Sequence, residues 1–169
     1  SLEKNKQTAR NLLLFQTDFF PILTEVDIAK ARTIGKLETI KEKCHEYVVE
    51  KKQKVLIYTH NVGNGILDMI GNGIRALDQE LNVGIHSGGI EEDKLNETLN
   101  GFCNHAIGEE ESIDVLIGSR TILVGIDGLQ NYTSTLIVNL LPMTYADYKQ
   151  LKGRLIRCGQ KEKEVNIYY

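Results

Sequence analysis

The sequence predicts an α/β protein, in which an open and mostly parallel β-sheet carries helices on both of its faces. Short apolar runs alternate along the chain with longer segments whose apolar residues recur at helical spacing. The run KVLIYT is apolar through most of its length, which is typical of a strand buried on both faces. Strands that alternate with helices favour a parallel sheet. The expected strands are residues 54–59, 82–86, 113–119, 134–140 and 164–169.

Helices are expected in the segments between these strands. From Gly35 onward, Leu37, Ile40, Cys44 and Tyr47 recur at helical spacing. Further helices are expected over residues 66–79, 90–102 and 144–158, the first with Ile66, Ile70, Ile74 and Leu77 on one face. Residues 1–34 are expected to form a polar helical lead-in segment with a break at Pro21, and residues 35–169 to form the domain itself.

The composition of the chain favours a soluble globular protein. With 169 residues, 41% of them hydrophobic and 25% charged, the chain can form one soluble domain with its own core. No apolar run approaches the roughly 20 residues of a membrane span, and the start, SLEKNKQTAR, does not resemble a signal peptide. The three cysteines lie far apart, so we expect neither a zinc site nor disulfides, and a reducing cytoplasm, with or without nucleoid or nuclear association.

Three predicted strands end in loops of small or polar residues. Thr59 and His60 lie at the end of the first strand, Gly88 lies just after the second, and Ser119 and Arg120 lie at the end of the third. Parallel strands end at the same edge of a sheet, and free backbone N–H groups at such an edge bind anions. Each loop alone is more often an ordinary turn, but three at one edge predict a phosphate-binding surface. The net charge of −3 is compatible with such a local site.

The last predicted helix carries two arginines within QLKGRLIRCGQ. On a helical wheel of about 100° per residue, Gln150, Arg154 and Arg157 lie within roughly 60° of one another, apart from an apolar stripe. Arginine presents a planar, permanently charged fork of donors that fits phosphate oxygens. Gly153 would leave a gap beside the first arginine, where backbone or a ligand can approach. From spacing alone, a surface helix with two solvated arginines is an equally good interpretation.

Taken in order, four segments resemble a known family. KVLIYTHN, HSGG, DVLIGSRTILVGIDGLQ and QLKGRLIRCGQ follow the order of the motifs in the second RecA-like lobe of superfamily 2 helicases. The last segment is most similar to the Swi/Snf-type DNA translocases, although Gly153 stands where those proteins usually have an acid. The resemblance covers about residues 35–169 and implies a three-layer RecA-like fold.

The resemblance also implies roles for individual residues. Arg154 and Arg157 would be arginine fingers that reach the γ-phosphate of ATP, and the partners would be DNA, with RNA left open, and an N-terminal RecA-like lobe of the same protein. That lobe would hold ATP with Mg²⁺, because this chain has neither a GxxxxGK[ST] loop nor a DExx motif and would be inactive alone. The nucleotide side would include Gln150, Gly125 and Asp127, and the nucleic-acid side Thr59, His60, Gly88, Ser119 and Arg120.

Two other functions stay open at this point. A stand-alone nucleotide- or phosphate-binding α/β domain would use the glycine-rich loop HNVGNG to hold its ligand. An interaction module without motor activity would use the same fold as a binding surface. A phosphate loop and a DExx motif encoded upstream of Ser1 would decide for the motor.

Overall fold

The computed structural model describes residues 24–60, 65–77, 79 and 81–169. A π-helical turn, His45–Glu50, extends the first helix, and a short 3₁₀ helix spans Leu129–Asn131. The strands are β1 (Val55–Thr59), β2 (Val83–His86), β3 (Val115–Gly118), β4 (Thr135–Leu140) and β5 (Asn166–Tyr168), and the α-helices are α1 (Glu25–Cys44), α2 (Ile66–Leu77), α3 (Glu92–Asn104), α4 (Arg120–Gly125) and α5 (Tyr145–Gly153).

The five described strands form one sheet in the order β2-β3-β1-β4-β5, and every neighbouring pair is parallel. The central strand β1 pairs with β3 on one side and with β4 on the other, so Ile57 lies between Ile117 and Ile137. All five predicted strands are therefore confirmed. Because the strands are parallel, the ends of β1, β2 and β3 lie at one edge of the sheet, which we call the carboxyl edge.

Helices cover both faces of the sheet, as the alternation of strands and helices predicts. Val55 and Ile57 of β1 point to the face covered by α1 and α2, where they join a core that includes Ile40 and Ile70. Leu56 and Tyr58 point to the other face, where α3, α4 and α5 contribute. The core of this second face contains Phe102, Ile122, Leu123 and Leu151. The result is a three-layer α/β structure with a buried, apolar sheet at its centre.

Helix α1 begins at Glu25 because a capping box closes its first turn. The backbone N–H of Asp27 donates to Thr24 Oγ1 at 3.2 Å, and the backbone N–H of Thr24 donates to Asp27 Oδ2 at 3.0 Å. The helix continues without a break across residues 34 and 35. The division between a lead-in segment 1–34 and a domain 35–169 stays a prediction, and residues 1–23, including Pro21, lie outside the described part of the chain.

Two helices differ from the sequence-based prediction. The last one ends at Gly153 and not at residue 158, since the chain after Gly153 forms a succession of turns. The segment that follows Ser119 forms α4, which the sequence analysis did not predict. Among the described residues, no helix combines the length and the apolar character that crossing a membrane requires.

Candidate functional site

The carboxyl edge brings together the three loops predicted from the sequence. Gly118 at the end of β3 lies between Tyr58 of β1 and His86 of β2. The residues that follow these three strands are therefore neighbours at one edge, as a phosphate-binding surface requires. Of the glycine-rich loop HNVGNG, residues 61–64 lie outside the described part of the chain, so the stand-alone nucleotide-binding alternative that uses it stays open.

The predicted nucleic-acid-binding residues differ in accessibility. Arg120 and Gly88 are exposed, and His60 is half-buried. Thr59 and Ser119 are buried, with relative accessibilities of 0% and 4%. At the carboxyl edge Arg120 and Gly88 are therefore accessible to a ligand, whereas the side chains of Thr59 and Ser119 are buried. The role of all five in nucleic-acid binding stays a prediction.

A buried hydrogen-bond network fixes the end of β1. Asn139 of β4 donates through Nδ2 to Thr33 Oγ1 at 2.8 Å and to Thr59 Oγ1 at 3.3 Å, while Lys36 Nζ donates to the Asn139 carbonyl at 2.6 Å. The network joins α1 to β1 and β4, so it holds the backbone from which His60 projects. Asn139 was not among the residues predicted from the sequence, although a single amide within the apolar run TLIVNL was a usable signal.

His86 ties the second loop to the start of α4. Its Nδ1 lies 2.9 Å from Thr121 Oγ1, which in turn donates to the His86 carbonyl at 2.9 Å. Because the hydroxyl proton goes to that carbonyl, Nδ1 of the imidazole must be the donor to Thr121. Burial lowers the pKa of His86, which favours the neutral ring. The histidine thus holds α4 in place at the carboxyl edge and is not a free cation for a ligand.

The second group of predicted residues lies at the other end of α4, and we call Asp127, Arg154 and Arg157 the arginine cluster. Nη1 of Arg154 is 2.9 Å from Asp127 Oδ1, and Nη1 of Arg157 is 3.1 Å from the same oxygen. The two guanidiniums therefore converge on one carboxylate oxygen, whereas the sequence predicted only that the two arginines share one edge of a helix. Arg154 caps α5 and Arg157 lies in the turns beyond it, so the helical-wheel argument does not apply to them.

Arg154 is held by the backbone at the end of α4. Its Nη1 donates to the carbonyl of Ile126 at 2.8 Å, and its Nη2 donates to the carbonyl of Leu123. Only 12% of the side chain is exposed, and its Nε has no hydrogen-bond partner among the described residues. Arg154 thus closes the turn between α4 and Asp127, and its donors are largely committed to the fold.

Arg157 is much more accessible. Its side chain is 43% exposed, and Asp127, its partner, is 85% exposed. Among the described residues, Asp127 is the one side chain that hydrogen-bonds to the Arg157 guanidinium. An ion pair this exposed contributes about 0.2–1 kcal/mol, so Arg157 can exchange Asp127 for another anion at low cost.

The remaining predicted nucleotide-side residues flank the cluster. Gly125 ends α4 two residues before Asp127. Gln150 lies on the exposed side of α5, and among the described residues no hydrogen bond joins it to the cluster. Gly153 was expected to permit a close approach, but a Cβ placed there would meet nothing within 4 Å. Open space at Gly153 is therefore available to a ligand or partner and is not filled by the described part of the chain.

The two groups are joined by α4. Arg120 is its first residue, and the Leu123 and Ile126 carbonyls that bind Arg154 lie at its end. A helix of six residues is about 9 Å long, so the carboxyl edge and the arginine cluster are separate surfaces linked by one short helix. Neither surface holds a group of three or more His, Cys, Asp or Glu side chains suited to a metal ion, nor does any other described part.

A cavity of about 300 Å³ lies at the opposite edge of the sheet, near the start of β1 and β4. Its buried cation is Lys54, whose Nζ donates to the Gly101 and Phe102 carbonyls at 3.0 and 2.8 Å. These carbonyls belong to the last turn of α3, so Lys54 stabilises the end of that helix. The cavity contains none of the predicted site residues.

Comparison with known families agrees with this architecture. The family model for the helicase conserved C-terminal domain matches residues 35–159, which include every predicted site residue. No curated protein matches the chain. The parallel sheet flanked by helices is the RecA-like fold of that family, as the sequence analysis predicted. The chain therefore belongs to the family of helicase conserved C-terminal domains.

Proposed function

We propose that this chain is the C-terminal motor lobe of an ATP-dependent DNA helicase or translocase of the Swi/Snf type. An N-terminal lobe of the same protein would hold ATP with Mg²⁺, and this lobe would supply arginine to the phosphates. The observation that carries the proposal is the convergence of Arg154 and Arg157 on one oxygen of Asp127, in a chain of the helicase family. Two guanidiniums that share an exposed carboxylate can bind a phosphate in the same way.

Within this proposal Arg157 is the arginine finger. Phosphoryl transfer from ATP spreads negative charge over the transferring group, and a positioned guanidinium stabilises that charge. Arg157 can meet it, because its side chain is 43% exposed and is bonded to a solvent-facing acid. Arg154 would hold the turn that carries Asp127 beside Arg157. Gln150 would lie at the edge of the same surface. Gly125 and Asp127 would stand at the nucleotide side of α4.

The carboxyl edge is the proposed nucleic-acid surface. Arg120 and Gly88 are exposed there and would contact backbone phosphates, which gives a grip that does not depend on sequence. His60 would join them from the loop after β1. Thr59 and Ser119 would contribute to binding once their buried side chains turn toward the nucleic acid.

Helix α4 would couple nucleic-acid binding at the carboxyl edge to ATP hydrolysis at the arginine cluster. Arg120 at the start of α4 would contact the nucleic acid, and the Leu123 and Ile126 carbonyls at its end accept hydrogen bonds from Arg154. A small displacement of the helix on nucleic-acid binding would therefore move the arginine cluster relative to ATP. Closure of the two lobes on ATP and their opening after hydrolysis would then advance the protein along DNA.

The test is Arg157→Ala in the full-length protein. We expect DNA-stimulated ATP hydrolysis to fall on the order of 10³-fold or more in kcat, because an arginine finger contributes about that much. Binding of DNA and the unfolding midpoint should stay close to the parental values. Lys152→Ala is the control, since the Lys152 ammonium lies 5.5 Å from the Tyr148 ring centre and is not part of the arginine cluster. Parental turnover in Arg157→Ala would refute the proposal.

A further inference from the structure

The Asp127 carboxylate engages one donor nitrogen of each guanidinium, and a phosphate would use the same donors. One oxygen, Oδ1, accepts from Nη1 of Arg154 at 2.9 Å and from Nη1 of Arg157 at 3.1 Å. Carboxylates and phosphates are the two anions that the arginine fork binds best. A phosphate that approaches Arg157 therefore competes with Asp127 for the same guanidinium edge.

The competition is unequal for the two arginines. Arg154 has bonds to the Leu123 and Ile126 carbonyls that do not involve Asp127, and it is nearly buried. The Arg157 guanidinium has no such backbone anchors among the described contacts, and it is more than three times as exposed. Release of Asp127 would therefore free Arg157 and leave Arg154 in place.

We propose that Asp127 is a resting partner of Arg157 that the ATP phosphates must displace, and that Arg154 is a positioning residue that holds Asp127 and its turn in register. This inference rests on the proposed function, since it concerns the regulation of the same arginine. It assigns Asp127 an effect opposite to that of a residue that binds the nucleotide. A residue that binds the nucleotide favours ATP binding, whereas a residue that competes with the phosphates for Arg157 opposes it.

The size of the effect follows from the exposure of the pair. Exposed ion pairs shift an equilibrium by a factor of about 1.4 to 5. Removing the Asp127 charge should therefore tighten nucleotide binding by at most about five-fold. The gain should appear in KM for ATP and in the Kd of a non-hydrolysable ATP analogue, because the competition acts on binding of the nucleotide.

The experiment is a double-mutant cycle in the full-length protein, with Asp127→Asn, Arg157→Ala and the double variant. Calorimetry with the non-hydrolysable analogue should give tighter binding for Asp127→Asn than for the parent. The same change in the Arg157→Ala background should leave Kd unaltered, since the competing pair is already broken. Asp68→Asn is the matched control, because Asp68 is an exposed aspartate of α2 on the other face of the sheet.

Each other outcome would overturn the inference. Weaker binding by Asp127→Asn would make Asp127 a nucleotide ligand, and an equal gain in the Arg157→Ala background would make the effect one of general charge. Asp127→Ala provides a second variant that removes the acceptor as well, and it should shift Kd in the same direction. Failure of the proposed function is recognised separately, because Arg157→Ala would then hydrolyse ATP at the parental rate whatever Asp127 does.

Discussion

The two ends of α4 are built in different ways. At the carboxyl edge, the small polar residues Thr59 and Ser119 are buried, and Arg120 is exposed. At the arginine cluster, long side chains meet an exposed carboxylate and backbone carbonyls. The first surface would bind through backbone and one cation, whereas the second presents a preassembled pair of guanidiniums. The two surfaces should therefore respond differently to single substitutions.

The largest effect on folding is expected at Arg154. Arg154→Ala would leave the Leu123 and Ile126 carbonyls without their donor, and buried polar groups without a partner cost about 1–3 kcal/mol each. We expect a loss of about 2–3 kcal/mol in the free energy of unfolding, measured by urea denaturation of this lobe. Arg157→Ala should stay within about 0.5 kcal/mol of the parent, as is usual for surface positions. Equal losses in both variants would remove the distinction between the two arginines.

A smaller effect is expected at Arg120, and it concerns binding. Arg120→Gln should weaken DNA binding by a similar factor for every sequence and reduce the slope of log K against log salt by about one. Fluorescence anisotropy with several unrelated duplexes over a range of salt concentrations measures both quantities. Arg32→Gln serves as the control, because Arg32 is an exposed arginine of α1. An unchanged salt slope would exclude Arg120 from phosphate contact.

The smallest effects are expected at two glycines beside the arginines. Gly159 has φ +96°, and a Cβ there would lie 3.3 Å from Asn131 Oδ1, so Gly159→Ala should cost about 1–2 kcal/mol of stability. Gly153 has open space around it and lies at the end of α5, so Gly153→Ala should be neutral or stabilising by up to about 1 kcal/mol. In thermal unfolding, the midpoint should fall for Gly159→Ala and should stay the same or rise for Gly153→Ala.

Gly153→Ala also tests whether a ligand or partner uses that open space. If the variant is stable but hydrolyses ATP more slowly in the full-length protein, the gap beside Arg154 is occupied during turnover. A destabilised Gly153→Ala with an unaffected Gly159→Ala would contradict the local structure described above.

The strands and the carboxyl edge could be predicted because their signals are local. An apolar run such as residues 54–59 can be recognised as a buried strand, and parallel strands necessarily end at one edge. Helix α4 was missed because TILVG contains β-branched residues that suit a strand equally well, and it is helical here while Ile122 and Leu123 pack into the second core.

The arginine cluster could be predicted only in part. The resemblance of QLKGRLIRCGQ to a helicase motif indicated the two arginines, but periodicity placed them on a helix that ends at Gly153. What brings them together is a contact with Asp127, which precedes them by 27 and 30 residues. No local pattern encodes a contact over that separation, and the unequal anchoring of Arg154 and Arg157 follows only from the folded backbone.

The most direct test of the central claim is the kcat of Arg157→Lys in the full-length protein, with DNA present. Lysine keeps the charge and loses the planar fork, so it separates geometry from net charge. Arg32→Lys, the same substitution at an exposed arginine of α1, is the matched control. We predict a fall on the order of 10³-fold or more for Arg157→Lys and a parental rate for Arg32→Lys. Hydrolysis by Arg157→Lys within a few-fold of the parental rate would contradict the arginine-finger account.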